Sequence, residues 1–284
     1  MEMKRILWIL LCVLCTGLTA RAQEDSLQAN RYVMRATTYG IGRTNILDTY
    51  LSPLEYTGTE LRVQRESMRR TRLMDGRVSA QSLFNIGLSL TENPAATGDE
   101  WAGAVSWDYA LHYQWALTER LKVMVGPQLD VHGGFVYNLR NSNNPAQVQA
   151  DVHLGASAMA VYHFHIKRYP LVARYQFDLP LLGVMFSPEY GESYYEIFEL
   201  EHEGTNVVFT TPVNAPIQRH YVSLDFPVGN VNLRVAYRGD IRQSHVNDIK
   251  HHTWSRLFMV GFVKNFYLLK GKNRVSMPPS VSPY

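Results

Sequence analysis

The chain has 284 residues, 46% of them hydrophobic, with 17 Tyr, 5 Trp and a formal net charge of +3. Its two cysteines, Cys12 and Cys15, lie close to the start, so no disulfide, redox thiol or zinc–thiolate site is expected beyond them. Near-balanced charge argues against a nucleic-acid partner.

The opening stretch "MEMKRILWILLCVLCTGLTARAQ" joins Lys4 and Arg5 to an apolar run from Ile6 to Leu14 and then Ala20-Arg21-Ala22. That pattern predicts a secretory signal over residues 1–22, with a mature chain from Gln23. The run is short for the ~20 residues of a helical span. Leu11 and Leu14 precede the cysteines where a lipoprotein cleavage site needs a small residue, so no lipid anchor is expected. Removing Lys4, Arg5, Arg21 and Glu2 leaves 25 basic against 24 acidic residues from totals of 28 and 25.

Beyond the signal the apolar residues alternate. Ten strands are predicted near 34–45, 56–70, 77–91, 100–117, 119–139, 148–166, 170–179, 218–226, 230–241 and 252–267. In "GRVSAQSLFNIGLSL", Val78, Phe84, Ile86, Leu88 and Leu90 oppose Ser79, Gln81, Asn85 and Ser89. In "EWAGAVSWDYALHYQWAL", bulky Trp101, Val105, Trp107, Tyr109, Leu111, Tyr113 and Trp115 alternate with Ala104, Ser106, Asp108, Ala110 and His112. From Leu121, Val123, Val125, Leu129, Val131, Phe135 and Tyr137 oppose Lys122, Gly126, Gln128, Asp130 and His132. From Val148, Val152, Leu154, Tyr162, Phe164 and Ile166 oppose Gln149, Asp151, His153, Ser157 and His163. "NVNLRVAYRGD" sets Val231, Leu233, Val235 and Tyr237 against Asn232, Arg234 and Arg238. Period two over such lengths means β-strands with unlike faces.

Many of these runs exceed ten residues, and a tilted strand crosses a bilayer in roughly 9–11. The polar face is built of small residues suited to a crowded interior, whereas the other carries the Leu, Val, Phe, Trp and Tyr of a lipid-facing band. Trp254 and Phe266 share one face, twelve residues apart, which at ~3.3 Å rise and ~40° tilt is roughly 30 Å along the membrane normal. The gaps "LTER", "KRY" and "PVGN" alternate with longer ones such as "DTYLSPLE", "TENPAATGD", "RNSNNPA" and the 180–217 segment. The expected fold is an all-β, up-and-down antiparallel transmembrane β-barrel of about ten strands, with short periplasmic turns and longer external loops. It occupies residues 23–267, between the signal and a disordered, Pro- and Ser-rich tail over 268–284. Within 180–217, "GESYYEIFELEHEG" has the spacing of a short amphipathic helix, its glutamates read as a solvated face.

Pairing inward positions across the "LTER" turn gathers a polar cluster in the lumen: Asp108, Asp130, His132 and His153. Such groups can do acid–base work or hold a metal. The favoured expectation is a charge network in which they pair with Lys122, Arg62, Arg174, Arg234 and Arg238, because an isolated charge there is costly. No catalytic residue, metal or cofactor is assigned. His153 and Ser157, ~13 Å apart along one strand, cannot form a Ser–His pair. His163 and His165 are read as polar strand-end residues, and Arg65, Arg69, Arg70 and Arg72 of "RESMRRTRL" as a solvated basic rim.

The stretch "TTYGIGRTNILDTYLSPLEYTGTELRVQRESMRR" (37–70), with "LDTYLSPLEYTG" its most distinctive piece, resembles an uncharacterised bacterial family, domain of unknown function 3316. The resemblance implies a secreted or outer-membrane protein of gut-type bacteria and carries no site residues. The expected function is an outer-membrane barrel in contact with outer-membrane lipid, serving structure, adhesion or limited passage of a small solute, or meeting a surface ligand. Ten strands leave at most a narrow path. Two alternatives remain: a barrel-embedded hydrolase acting on lipid or peptide at the outer rim, with Asp130 or His132 as its essential group, and a soluble periplasmic ligand-binding barrel.

Overall fold

The structure, a computed structural model, describes residues 32–142, 144–199, 206–268 and 274–277. The signal expected over 1–22 and most of the 268–284 tail lie outside the described residues. Among the described residues twelve strands form in chain order: β1 (Tyr32–Asp48), β2 (Ser52–Arg70), β3 (Val78–Glu92), β4 (Asp99–Ala116), β5 (Leu121–Asn138), β6 (Ala146–Ile166), β7 (Tyr169–Phe186), β8 (Val207–Thr210), β9 (Ile217–Val228), β10 (Val231–Val246), β11 (Ile249–Leu268) and β12 (Arg274–Ser276). Between β7 and β8 the described residues include a short helix, α1 (Tyr194–Phe198).

Ten strands close a barrel in the order β1-β2-β3-β4-β5-β6-β7-β9-β10-β11, with β11 pairing back onto the whole length of β1. Closure removes both sheet edges, as a strand-built membrane crossing requires. The short β8 pairs the outer end of β7, and β12 pairs the end of β11. One rung of paired residues fixes the stagger. From Arg43 it runs through Thr59, Leu90, Trp101 and Tyr137 to Ala146 on β6. The other way it runs through Arg256, Gly239, His220 and Phe177 to Ala158, also on β6. The difference between 158 and 146 is a shear of 12 residues over ten strands. With ~3.3 Å rise and ~4.8 Å strand spacing, that shear corresponds to a tilt of about 40°.

The two rims differ. One, the turn rim, carries the connections 71–77, 117–120, 167–168 and 229–230, together with the start of β1 and the end of β11. The other, the loop rim, carries 49–51, 93–98, 139–145, 187–216 and 247–248. The first and last of these are tighter than expected. β1 and β2 join through Thr49–Leu51, and β10 runs on to a two-residue turn at Asn247 and Asp248, whose φ values of 50° and 59° are those of a hairpin turn. β7 likewise continues past residue 179 to Phe186, with a register shift where it meets Leu154 and Gly155. Part of the tail expected to be disordered is strand: β12, opposite Phe266 to Leu268.

The bulky apolar residues face outward. Ile41, Leu61, Leu90, Val105, Leu154 and Phe258 are all exposed, whereas Ser79, Gln81, His112, Asp130 and Ser157 are buried in the lumen. This is the exterior of a membrane-spanning barrel and the reverse of a soluble ligand-binding barrel, which keeps its large apolar side chains inside. Close approach demands glycine at several wall positions, among them Gly126, where a Cβ would overlap the carbonyl oxygen of Leu111. Beside it Pro127 cannot donate to the ladder, and the β4–β5 pairing skips Leu111 and His112.

Candidate functional site

The lumen is stratified from the turn rim to the loop rim. Toward the turn rim lies an apolar plug: Met34, Met68, Met124 and Met159 with Ala36, Val161 and Val263, and Val172 packed against them. Methionine suits this place because its unbranched, polarizable chain fills irregular gaps between strands. Below the plug a cavity of ≈ 100 Å³ opens beside His163, His165, Asp225 and Asn232.

Above the plug the lumen is charged. Glu66 of β2 accepts from Arg174 Nη1 and Nη2 at 2.5 and 2.9 Å, from Arg234 Nη1 at 2.7 Å and from Gln81 Nε2 at 2.6 Å. Arg234 also donates to both oxygens of Asp225, at 2.6 and 2.7 Å, and the Arg174 guanidinium lies 5.1 Å from the Tyr221 ring centroid. Bidentate guanidinium–carboxylate geometry satisfies charges that would otherwise be costly in a narrow lumen.

The next layer holds the predicted cluster. Asp108 and Asp130 are direct cross-strand partners, and their juxtaposed charges are bridged by Arg219, which donates to both. Gln128 Nε2 donates to Asp108 at 3.1 Å. Arg242 ties Asp130, at 3.2 Å, to Asp151, at 2.6 Å. Asp151 gathers the histidines: His132 Nδ1 at 3.0 Å and His153 Nδ1 at 3.1 Å. The His153 ring has room because the facing residue is Gly183, where a Cβ would overlap it, and its Nε2 meets Thr210 Oγ1 of β8 at 3.0 Å. Arg62 and Arg238 both bond Asp240, while Arg62 also reaches Glu60. A cavity of ≈ 80 Å³ separates these arginines from the small side chains Ala102, Ala104 and Ser106 of β4.

Asp108, Asp130, His132 and His153 are therefore brought together, but Arg174 and Arg234 are not with them. Those two sit one layer nearer the plug, on Glu66. Four partners that hold the arrangement were missed: Glu66, Asp151, Arg219 and Arg242. Glu66, Asp151 and Arg219 occupy inward positions in strands already read, so face parity could have found them. Arg242 fell beyond the predicted end of its strand. His132 faces Asp151, while His153 faces Asp130. Ser157 lies away from His153 altogether, donating to Asp178 at 2.5 Å and meeting His112 Nε2 at 2.8 Å. Here the serine is the middle member, its hydroxyl donating to the carboxylate. In a nucleophilic triad the histidine stands between the two and takes that proton.

Among the described residues, Asp130, Asp151 and His153 are the group whose ligand atoms lie close enough for a metal, within 4.8 Å of one another. Both carboxylates are bonded to guanidinium groups, so a cation would have to displace Arg219 or Arg242.

At the loop rim residues 187–199 strap the mouth. α1 opens on a capping box, Ser193 accepting from the Glu196 amide while the Glu196 carboxylate accepts from the Ser193 amide. Tyr194 Oη donates to Gln147 at 3.0 Å and accepts from the Val148 amide at 2.7 Å, and Tyr50 Oη donates to the Glu192 carbonyl at 2.8 Å. Burial pushes the Tyr194 phenol up to about 12. Tyr50 is raised as well, first by burial and then by Asp48. The predicted short helix is thus present. Of its glutamates, Glu201 and Glu203 lie outside the described residues.

No curated protein matches the chain. Among solved structures, the outer membrane protease OmpT from Escherichia coli aligns with a TM-score of 0.45 at 7% identity, covering 82% of this chain and 96% of that one. The transport unit of the autotransporter AIDA-I from Escherichia coli gives 0.40 at 8%, covering 88% and 95%. An outer membrane channel from Pseudomonas putida F1 gives 0.40 at 11%, covering 87% and 100%. Likenesses of this size add nothing to what the chain's own geometry shows. A family described as "Protein of unknown function (DUF3316)" matches residues 7–273, nearly the whole chain, and the protein belongs to that family.

Proposed function

We propose that the protein is an outer-membrane barrel without catalytic activity and without an open conduit, serving a structural or adhesive role with its loop rim outside the cell. The carrying observation is the filled lumen. Between the two main cavities lie the methionine plug and the Glu66–Arg174–Arg234 layer, both buried. A solute would have to part an apolar packing and a desolvated ion-pair cluster in succession, which disfavours the limited-passage reading. The outward apolar wall supports contact with membrane lipid, and the strapped loop rim offers a surface for an external ligand.

The clamped state of the carboxylates supports the non-catalytic reading over a hydrolase. A general base needs a lone pair free toward a substrate proton, whereas Asp130 and Asp151 are each engaged by guanidinium groups. Purified protein in a planar bilayer is expected to show no steady conductance and, after carbonate washing of cells, to stay with the outer-membrane fraction. Steady pores would overturn the closed lumen, and release by carbonate would overturn the membrane assignment.

A further inference from the structure

The arginines of the lumen described above all meet carboxylates, but two on the outer wall do not. Arg43 of β1 and Arg256 of β11 stand directly opposite each other across the seam that closes the barrel. Both are outward and exposed. Like charges directly opposite on adjacent strands repel, and a guanidinium on a lipid-facing wall is increasingly costly toward the bilayer centre. None of the described neighbours on the wall offsets either cost. The lateral neighbours are Thr59 and Gly239. Along the same face come Ile41, Asn45, Trp254 and Phe258, and the diagonals are Thr57, Leu61, Tyr237 and Ile241. None is a carboxylate. The outward carboxylate next along β2, Glu55, is held by Asn45 Nδ2 at 3.1 Å. Neither arginine has an ion pair among the described residues.

Their depth is informative. Trp254, stacked on His252 with ring centroids 4.3 Å apart, lies on the loop-rim side of the pair. Tyr39, Ile41, Phe258, Val260 and Phe262, all exposed, lie on the other. Eight residues further toward the turn rim the seam carries a second couple of like charges, Arg35 opposite Lys264. Eight residues at ~3.3 Å and a tilt near 40° span roughly 20 Å along the membrane normal, close to the ~25 Å apolar band of outer-membrane barrels. The two couples therefore bracket the greasy stretch of the seam, one at each headgroup level.

We infer that Arg43 and Arg256 form a clamp for the phosphate of a lipid headgroup in the leaflet at the loop rim. Each guanidinium presents a planar fork of donors that matches phosphate oxygens. One anion between them converts their mutual repulsion into two attractions, while Trp254 sits at headgroup depth beside it. The clamp rests on the reading of the outer wall as lipid-facing.

The test reconstitutes the whole barrel into phosphatidylcholine nanodiscs with or without phosphatidic acid, releases it into detergent, and counts retained lipid by native mass spectrometry. Wild type should retain phosphatidic acid, and R43Q/R256Q should retain roughly tenfold less. R120Q, which removes an exposed charge from a turn-rim connection, should match wild type. Equal retention by R43Q/R256Q and wild type overturns the clamp. Inorganic phosphate that competes as well as the lipid also overturns it, by making the pair a general anion site. A barrel that inserts and retains no phosphatidic acid overturns the clamp alone. A chain that fails to insert overturns the lipid-facing wall as well, and heat-modifiable migration reports insertion independently.

Discussion

The two halves of the lumen close the same barrel by opposite means. Toward the turn rim, Met34, Met68, Met124 and Met159 close it with dispersion contacts that need no particular partner. Toward the loop rim, Arg219 and Arg242 close it by bridging Asp108, Asp130 and Asp151, where each group depends on a specific neighbour. The contrast teaches that an apolar layer degrades in proportion to the volume lost, whereas a buried charge layer fails when one member is removed. The chain places the compliant material below and the demanding material above.

The largest effect should come from breaking the charged half. Arg219→Ala leaves Asp108 and Asp130 facing each other without their bridge, and should cost about 3–5 kcal/mol, read from urea-induced loss of the heat-modifiable form. Adding Asp108→Asn and Asp130→Asn to that variant should recover most of the loss, because neutral amides no longer need the cation. If the triple variant is as unstable as the single one, charge is not what Arg219 supplies. In the plug, Met124→Ala should cost about 2–5 kcal/mol through lost burial and a residual cavity. Planar-bilayer recordings of Met124→Ala/Met159→Ala should still show no steady conductance, since the Glu66 layer stands above. Conductance appearing in that variant would make the plug the whole barrier.

Smaller effects are expected at the strap. Tyr194→Phe removes the donation to Gln147 and the acceptor for Val148, worth about 0.5–1.5 kcal/mol each, and should speed proteolysis within 187–216 while the wall stays protected. The pH dependence has a definite sign. The strap holds the Tyr194 phenol neutral, so its docking is complete below the ordinary value of 10 and is lost as pH rises through about 12. Hydrogen exchange of the Val148 amide across that range would follow it.

Most of the wall was legible because a two-sided strand must alternate, and the β4, β5 and β6 patterns do so almost without interruption. What escaped has local causes. The extra residue of β7 beside Leu154 and Gly155 breaks the alternation near Pro180, so the readable pattern stops at 179. The Asn247-Asp248 pair carries a hairpin signal, but the polar residues before it, Arg242 to His245, hid the strand end and with it Arg242. The plug was hidden for a different reason. Met124 and Met159 share the inward face with Asp130 and Ser157, and an apolar residue on a nominally polar face is invisible to a pattern that sorts faces by polarity. Which arginine bridges which aspartate depends on closure of the barrel, bringing β9 and β10 across from β4 and β5, and no local spacing encodes that.

Everything rests on the sorting of the two faces of each strand, and adjacent residues of β4 test it most directly. Spin labels attached through Val105→Cys and through Ser106→Cys, in a mature chain expected to lack other cysteines, differ by one residue in position and by the whole wall in environment. Val105 should show high accessibility to oxygen dissolved in the bilayer and almost none to a water-soluble nickel complex, while Ser106 should be shielded from bilayer oxygen. A label at Ser106 that reports acyl chains, with one at Val105 that reports water, would turn the barrel inside out and contradict the account.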